Sequence, residues 1–380
     1  MSTGYVVGRN YLSGQPIELA WANGTITKVA PVAEPCESNV WLAPALVDLQ
    51  VNGFAGVDFQ RDQLRLEDLL TAARGLRRAG CSRFLLTLIT DRWPDLMQRL
   101  RHLRALRSSS PELGLAIAGW HLEGPFLSSE PGFHGAHDPE LMLDPSVEQI
   151  KELRAVTGGD PTLLTIAPER PGAIEAIRLA VSLGIKVSLG HTNASMPQLR
   201  EAIAAGATGF THLGNACPKL LDRSDNILWR VLDLPGLMIG IIPDQIHVAP
   251  PLFRVLHRAA VSRTFYYTTD AMSAAGMPPG RYPVGKLEAD VGADQVVRRV
   301  DNGNLAGSAL RPIDGVFRAA AMLGKSWREL WHFHSVDPAR WMGLTSGLQP
   351  GQCADFCQVI ANESGALERV ETWRNGEPES

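Results

Sequence analysis

His121-Leu122-Glu123-Gly124-Pro125-Phe126 directly follows an apolar run, Leu115 to Trp120, that is typical of a buried β-strand. Gly124 and Pro125 predict that this strand ends abruptly. An imidazole and a carboxylate therefore stand at the C-terminal end of a predicted strand. Barrels of alternating strands and helices build their active sites at this end of the strands.

Apolar segments of strand length alternate with segments of helical periodicity along the chain. The predicted strands are Val47–Gly53, Cys81–Thr90, Leu115–Glu123, Thr162–Ala167, Ile185–Gly190, Gly209–Leu213, Leu237–Ile242 and Thr264–Asp270. One of the helices between them has a clear start, because Ser195 and Gln198 form a capping-box pattern. The alternation predicts the α/β class and a (β/α)₈ TIM-type barrel.

Short β-type runs at both ends of the chain predict a second, smaller unit. The runs are Tyr5–Val7, Thr25–Val29, Phe356–Ile360 and Val370–Trp373. We expect the last two to pair with the first two in a small β-sandwich. The predicted division is 1–45 for the first part of the sandwich, 46–345 for the barrel and 346–380 for the second part.

Composition excludes several classes of protein. The chain has 380 residues, 45% of them hydrophobic and 20% charged, which is typical of a soluble globular protein. A net charge of −4 gives no reason to expect nucleic-acid binding, and no basic run suggests a membrane surface. The N-terminus lacks a secretory-signal pattern, and an odd number of cysteines, five, argues against a disulfide framework. We expect a cytoplasmic protein.

Three candidate metal ligands, Glu123, His191 and His212, each stand at the end of a predicted strand. A carboxylate and two imidazoles suit Zn²⁺ or Fe²⁺, and three protein ligands with one open position are the catalytic pattern. The alternative is three unrelated polar residues at strand ends. Asp270 ends the last predicted strand and is a candidate base for a metal-activated water. Alternatively, it caps the turn that follows.

Four further residues are candidates for contact with substrate. His137 lies on the long loop after the third strand, where a solvated histidine is the alternative. His247 follows the seventh strand and is a candidate substrate contact. Asn215 and Arg223 follow the sixth. Arginine suits bidentate recognition of phosphate or carboxylate, but Arg223 also has aspartates at positions 222 and 225 as alternative partners.

Nine motifs together resemble the N-acetylglucosamine-6-phosphate deacetylase family of the amidohydrolase superfamily, over nearly the whole chain. They are Asp48–Gly53, His121–Phe126, Gly135–His137, Ala167–Glu169, Gly190–Ala194, Thr211–Ala216, Asp244–His247, Thr269–Ala271 and Leu305–Ser308. The resemblance implies the barrel with a small β-sandwich from both termini. It also implies that Glu123, His191 and His212 hold one catalytic divalent metal ion, with Zn²⁺ favoured and Fe²⁺ as the alternative.

The same resemblance implies roles for the remaining candidates. Asp270 would be the acid/base, and His137 would polarise the acetyl carbonyl. Asn215, the backbone at Ala216, Arg223 and His247 would hold the phosphate of an amino-sugar substrate. In this family the arginine can reach the pocket of a neighbouring subunit, which implies a homodimer. The implied reaction is hydrolysis of the N-acetyl group of N-acetylglucosamine-6-phosphate, or of a closely related sugar, to acetate and the amino-sugar phosphate.

The first predicted strand departs from the superfamily pattern. Many amidohydrolases carry His-x-His there and bind two metals, whereas this chain has Gln50-Val51-Asn52. Amides bind divalent transition metals poorly compared with imidazole, so we expect one metal ion. Two rival functions are another amidohydrolase activity, such as cyclic-amide hydrolysis, and a non-catalytic sugar-binding barrel. The fourth strand lacks the lysine that bridges two metals in cyclic-amide hydrolases, and the intact candidate site argues against the second rival.

Overall fold

The computed structural model describes residues 3–32, 39–259 and 265–379. The chain begins with four strands of a peripheral sheet. They are β1 (Thr3–Asn10), β2 (Pro16–Ala22), β3 (Thr25–Pro31) and β4 (Val40–Pro44). β1 and β2, and β2 and β3, pair antiparallel, whereas β1 runs parallel to β4.

A barrel follows, with eight parallel strands among the described residues. Barrel strands one to eight are β5 (Leu46–Val51), β8 (Cys81–Ile89), β9 (Ile117–Glu123), β10 (Thr162–Ile166), β11 (Lys186–Leu189), β12 (Gly209–Phe210), β13 (Met238–Ile241) and β14 (Phe265–Tyr267). A small hairpin, β6 (Gly53–Phe54) and β7 (Val57–Asp58), follows the first of them. The barrel closes where Val51 bridges Ala271 and the Asn52 N–H donates to the Ala271 carbonyl at 2.7 Å.

Helices cover the barrel and bury one face each against its strands. They are α1 (Leu66–Arg78), α2 (Trp93–Ser109), α3 (Pro111–Ala116), α4 (Val147–Thr157), α5 (Ala173–Ser182), α6 (Met196–Ala204), α7 (Ile227–Asp233), α8 (Pro250–Ala259), α9 (Pro312–Leu323), α10 (Trp327–Leu330) and α11 (Val336–Met342). Short 3-10 helices span Pro139–Leu141 and Trp331–His334. The Ser195–Gln198 capping box is present as predicted. No helix in the described part of the chain is both long and apolar enough to cross a membrane.

An antiparallel sheet that the sequence analysis did not predict is inserted after the eighth barrel strand. It consists of β15 (Gly280–Val284), β16 (Leu287–Val291) and β17 (Val297–Arg299). The prediction for the third strand was wrong at its start, because Leu115 and Ala116 end helix α3 and the strand begins at Ile117. Thr264, which the prediction placed in the eighth strand, lies outside the described residues.

The C-terminal strands return to the first sheet. β18 (Phe356–Ala361), β19 (Leu367–Arg374) and β20 (Glu377–Pro378) join β1–β4, giving seven strands in one hydrogen-bonded sheet within the described residues. Its packed face includes Trp21, Phe356 and Trp373, with the last two rings stacked 5.2 Å apart. The predicted fold class, a barrel with a β unit built from both termini, is confirmed.

Candidate active site

Glu123, His191 and His212 come together at the C-terminal mouth of the barrel. His212 Nε2 lies 2.8 Å from Glu123 Oε1, and His191 Nε2 lies 3.3 Å from the same oxygen. All three side chains are buried, and one ligand atom from each lies within 4.8 Å of the others. Convergence of one carboxylate and two imidazoles fits a single divalent ion that prefers nitrogen and oxygen ligands. These residues therefore form a candidate metal site.

The electrostatics of this group favour cation binding. Burial opposes ionisation of Glu123, but hydrogen bonds and charges from His191 and His212 outweigh it and hold the pKa of Glu123 well below its usual value. The Nδ1 atom of His191 lies 3.0 Å from the Phe133 carbonyl, which can only accept a hydrogen bond. Nδ1 therefore donates to this carbonyl, and Nε2 is the ring nitrogen that faces Glu123 and would bind the metal ion.

The backbone at the strand ends is unusual. His191, His212 and Asp270 have φ values of 50°, 31° and 51°, in the left-handed region that favours glycine. Each such residue costs on the order of 1–3 kcal/mol and persists only where its surroundings fix it. Here the neighbouring barrel strands fix it, and the sharp turns leave the three side chains at the mouth of the barrel. Such strain clusters at functional sites.

Asp270 faces this group from the seam where the barrel closes. Its Oδ1 atom accepts hydrogen bonds from Gln50 Nε2 at 2.9 Å and from Asn52 Nδ2 at 2.7 Å. Both residues lie at the end of the first barrel strand, so this strand end holds the Asp270 carboxylate in place. Burial, and then the nearby Glu123 carboxylate, raise the pKa of Asp270 to about 7. Asp270 can therefore exchange a proton near neutral pH.

A buried aspartate beneath the site fixes the strand that carries Asp270. Asp48 Oδ2 accepts hydrogen bonds from the Thr269 backbone N–H at 3.1 Å and from its hydroxyl at 2.6 Å. Asp48 Oδ1 accepts from the Thr268 hydroxyl at 2.5 Å. In the sequence, Asp48 stands out only as part of the Asp48–Gly53 motif. An aspartate in the middle of a predicted buried strand was the available signal for this supporting role.

His137 reaches the site from the loop after barrel strand three. Its Nε2 lies 3.8 Å from Glu123 Oε2, and its Nδ1 lies 2.8 Å from the Thr90 hydroxyl oxygen. The Thr90 backbone N–H, which can only donate, also points at Nδ1 from 3.4 Å. Burial, and then the charge on His191, lower the pKa of His137 to about 3, so the ring is neutral. The proton then sits on Nε2, the atom that faces the candidate metal site.

This loop approaches His191 so closely that one position requires glycine. Gly135 has a φ of 61°, and a Cβ atom there would lie 2.9 Å from His191 Cε1. A side chain at 135 would therefore push the ring away from Glu123. His121 lies deeper in the barrel, where Nε2 is 2.8 Å from the Thr165 hydroxyl, and it is not among the metal-site residues.

A cavity of about 520 Å³ contains these groups and several of the predicted substrate contacts. Asn215, Ala216 and His247 line it. His247 is oriented by Asp244, whose Oδ2 accepts from Nδ1 at 2.6 Å. Lys219 also lines the cavity, and the sequence analysis missed it. Its signal was weak, because a lysine in a polar loop is usually a solvated surface residue.

Arg223 lies elsewhere. Its side chain is exposed and does not line the cavity of its own chain. Asp225, one of its alternative partners, pairs instead with Arg230 at 2.6 Å. Asp222 Oδ1 accepts the backbone N–H groups of residues 224 and 225 at 2.7 and 3.0 Å. The structure therefore brings together the other predicted site residues and leaves this one apart.

Comparisons with known proteins agree with the site. The chain is 32% identical over 365 residues to N-acetylgalactosamine-6-phosphate deacetylase from Escherichia coli O157:H7, covering 95% of this chain and 94% of that protein. It is 30% identical over 336 residues to N-acetylglucosamine-6-phosphate deacetylase from Vibrio furnissii, covering 88% and 82%. The chain belongs to the N-acetylglucosamine-6-phosphate deacetylase family. The predicted resemblance is confirmed.

A solved structure of this deacetylase family matches the whole fold. The enzyme from Mycobacterium smegmatis, a mutant in complex with N-acetyl-D-glucosamine-6-phosphate, superposes with a TM-score of 0.87 at 30% identity, covering 100% of both chains. No protein-family model matches the chain. Family membership therefore rests on these full-length similarities.

Proposed function

We propose that this chain removes the acetyl group from an N-acetylhexosamine 6-phosphate by metal-dependent hydrolysis, releasing acetate and the amino-sugar phosphate. The observation that carries the proposal is the candidate metal group of Glu123, His191 and His212 facing Asp270 within one cavity. N-acetylglucosamine-6-phosphate is the first candidate substrate. The galactosamine epimer is the second, because a relative that covers nearly the whole chain bears that name.

The residues around the candidate metal site fit each step of amide hydrolysis. A divalent ion held by Glu123, His191 and His212 would polarise the amide carbonyl and acidify a bound water. Asp270 takes a proton from the attacking water, and its Oδ1 stays fixed by two amide N–H groups during the transfer. Neutral His137 donates from Nε2 to the carbonyl oxygen as negative charge develops there. Asp270 then returns the proton to the departing amine.

Residues that follow barrel strands six and seven would hold the sugar phosphate. Asn215, the backbone at Ala216, Lys219 and His247 line the cavity there. Helical or turn N–H groups and cationic side chains are the usual phosphate partners. Arg223 would act on the pocket of a second copy of the chain, which accounts for its exposed position. A homodimer is therefore part of the proposal.

The metal would be one zinc ion per chain, with ferrous iron as the alternative. Imidazole and carboxylate ligands suit both ions. Gln50 and Asn52 support a single ion, because they stand where a second site would have histidines and amides bind divalent transition metals poorly compared with imidazole. We also propose a cytoplasmic location, and the division into 1–45, 46–345 and 346–380.

A deacetylation screen tests the proposal. Metal-loaded protein is incubated with the 6-phosphates of N-acetylglucosamine and N-acetylgalactosamine and with both unphosphorylated sugars, and released acetate is measured. We expect turnover of at least one phosphorylated sugar, with the unphosphorylated sugars slower by tenfold or more. Absence of acetate from all four, in protein shown to hold metal, would contradict the proposed activity. Binding of the sugars without turnover would instead indicate a sugar-binding barrel.

A further inference from the structure

A second cavity, of about 640 Å³, lies next to the active-site cavity. The two cavities share a set of lining residues, which we call the shared wall. It consists of Ile89, His134, Ala136, His137, Val284 and Leu287. The wall is mainly aliphatic apart from its two histidines, and one of these faces the candidate metal site.

The aliphatic part of the wall comes from two elements that are pinned to each other. Ile89 ends barrel strand two and packs with Val284 of the β15–β16 hairpin. At the hairpin turn, Lys286 Nζ lies 2.7 Å from Asp91 Oδ1. The Gly285 N–H donates to the buried Asp58 carboxylate at 2.8 Å. Both residues of the turn thus hold the hairpin against the barrel, and Leu287 follows directly.

The position of the wall in the barrel fixes which end of the substrate meets it. In a closed barrel of eight strands, strand two lies across the mouth from strand six, and strand three from strand seven. The proposed sugar-phosphate contacts, Asn215 and His247, follow strands six and seven. Ile89 ends strand two and therefore lies across the mouth from Asn215, the contact that follows strand six. The carbonyl carbon of an amide is planar, and the nitrogen, which carries the sugar, and the acyl chain leave it in different directions. A sugar bound near strands six and seven therefore directs the acyl chain toward the shared wall.

We propose that Ile89 and Leu287 determine acyl-chain length in this deacetylase, by closing the acyl end of the active site and keeping it separate from the second cavity. The inference rests on the proposed function of the same site. The second cavity, of about 640 Å³, lies on the other side of the shared wall, so it offers space for a longer acyl chain once a wall side chain is shortened. One methylene in an apolar pocket changes specificity by about 10- to 200-fold.

The experiment measures chain-length preference in two independent ways. The first is kcat/KM for N-acetyl and N-butanoyl glucosamine-6-phosphate. The second is calorimetric binding of acetohydroxamate and butanohydroxamate to the zinc-loaded protein, which chelate a metal and place an acyl chain without needing turnover. The variants are Leu287→Ala, on the half-exposed hairpin, and Ile89→Ala. Ile89→Val is a milder change at the same position, which serves if Ile89→Ala does not fold. The control is Leu141→Ala, because Leu141 lines only the second cavity.

We expect Leu287→Ala and Ile89→Ala to raise the butanoyl-to-acetyl ratio about tenfold or more in both measurements, with a smaller rise for Ile89→Val. Leu141→Ala should keep the wild-type ratio. Unchanged ratios in folded Leu287→Ala and Ile89→Val proteins, or an equal rise in Leu141→Ala, would overturn the proposal. If no variant or wild-type protein releases acetate while the hydroxamate ratios still shift as expected, the deacetylase assignment fails and the wall assignment stands.

Discussion

Replacing Asp270 with asparagine removes a proton acceptor from the mouth of the barrel and preserves its shape. Asp270 Oδ1 accepts two hydrogen bonds, from Gln50 at 2.9 Å and Asn52 at 2.7 Å. The asparagine oxygen can accept both, so the side chain stays where it is. What is lost is the carboxylate that we propose takes the proton of the attacking water. A positioned general base contributes about 10²- to 10⁴-fold, so kcat should fall by that factor while KM changes little.

The assay is steady-state acetate release by protein whose metal content has been measured. Asp355→Asn serves as a control, because Asp355 is another buried aspartate that accepts a backbone hydrogen bond, from Asn375, and it does not line the active-site cavity. Asp270→Ala provides a second comparison. It leaves the two amide donors without their acceptor, and each unsatisfied buried group costs about 1–3 kcal/mol of stability.

The expected pattern is therefore a stable, metal-containing, nearly inactive Asp270→Asn protein and a less stable Asp270→Ala protein. Near-normal kcat in metal-replete Asp270→Asn would refute the assignment of this carboxylate as the base. A fall in metal content that parallels the fall in activity would show instead that Asp270 holds the metal.

Four other predictions follow from the site. Elemental analysis of active protein should find one equivalent of divalent metal per chain, and two tightly held ions would contradict the role given to Gln50 and Asn52. Lys219→Ala should lower kcat/KM for the phosphorylated sugar by about ten- to a hundredfold and spare the unphosphorylated sugar, because a charge-assisted hydrogen bond is worth about 1.5–3 kcal/mol; equal losses for both sugars would exclude a phosphate contact. Arg223→Ala should lower kcat/KM for the phosphorylated sugar alone, and only if the chain forms a dimer. If light scattering finds a monomer and this loss still occurs, Arg223 does not act across a dimer. In metal-free protein, the pKa of Asp270 is raised from an ordinary 3.8 to about 7, so its stabilising contribution is present below about pH 4 and is lost as pH rises through 7. The free energy of unfolding of Asp270→Asn, measured in urea, should therefore rise relative to that of the wild type over this interval. A difference that does not change with pH would contradict the burial of this carboxylate.

The sequence by itself predicted the barrel because the signals are local. Apolar segments of strand length alternate with segments of helical periodicity. The capping box at Ser195 marks the start of a helix that the structure contains. The same local logic placed Glu123, His191, His212 and Asp270 at strand ends. In a parallel barrel all such ends face one mouth, so topology alone predicts that these side chains meet.

Features without a local period were missed. The β15–β17 sheet is made of short, half-exposed strands rich in charge, which do not differ from loop in a single sequence. Leu115 and Ala116 continue the apolar run of strand three, yet they end a helix, because Pro111 and the capping hydroxyl of Ser110 start that helix just before the strand. Periodicity does not separate a short helix from the start of a buried strand.

The sequence by itself determined which chemical groups this protein has and which end of the barrel carries them. Only the tertiary structure decided how they are used. Gln50 and Asn52 read as lost metal ligands in the sequence, and folding shows that both donate to Asp270. Lys219 lines the cavity and Arg223 does not, although only four positions separate them in the sequence. Such outcomes depend on distances between residues far apart in the chain, and those distances exist only once strand one closes against strand eight.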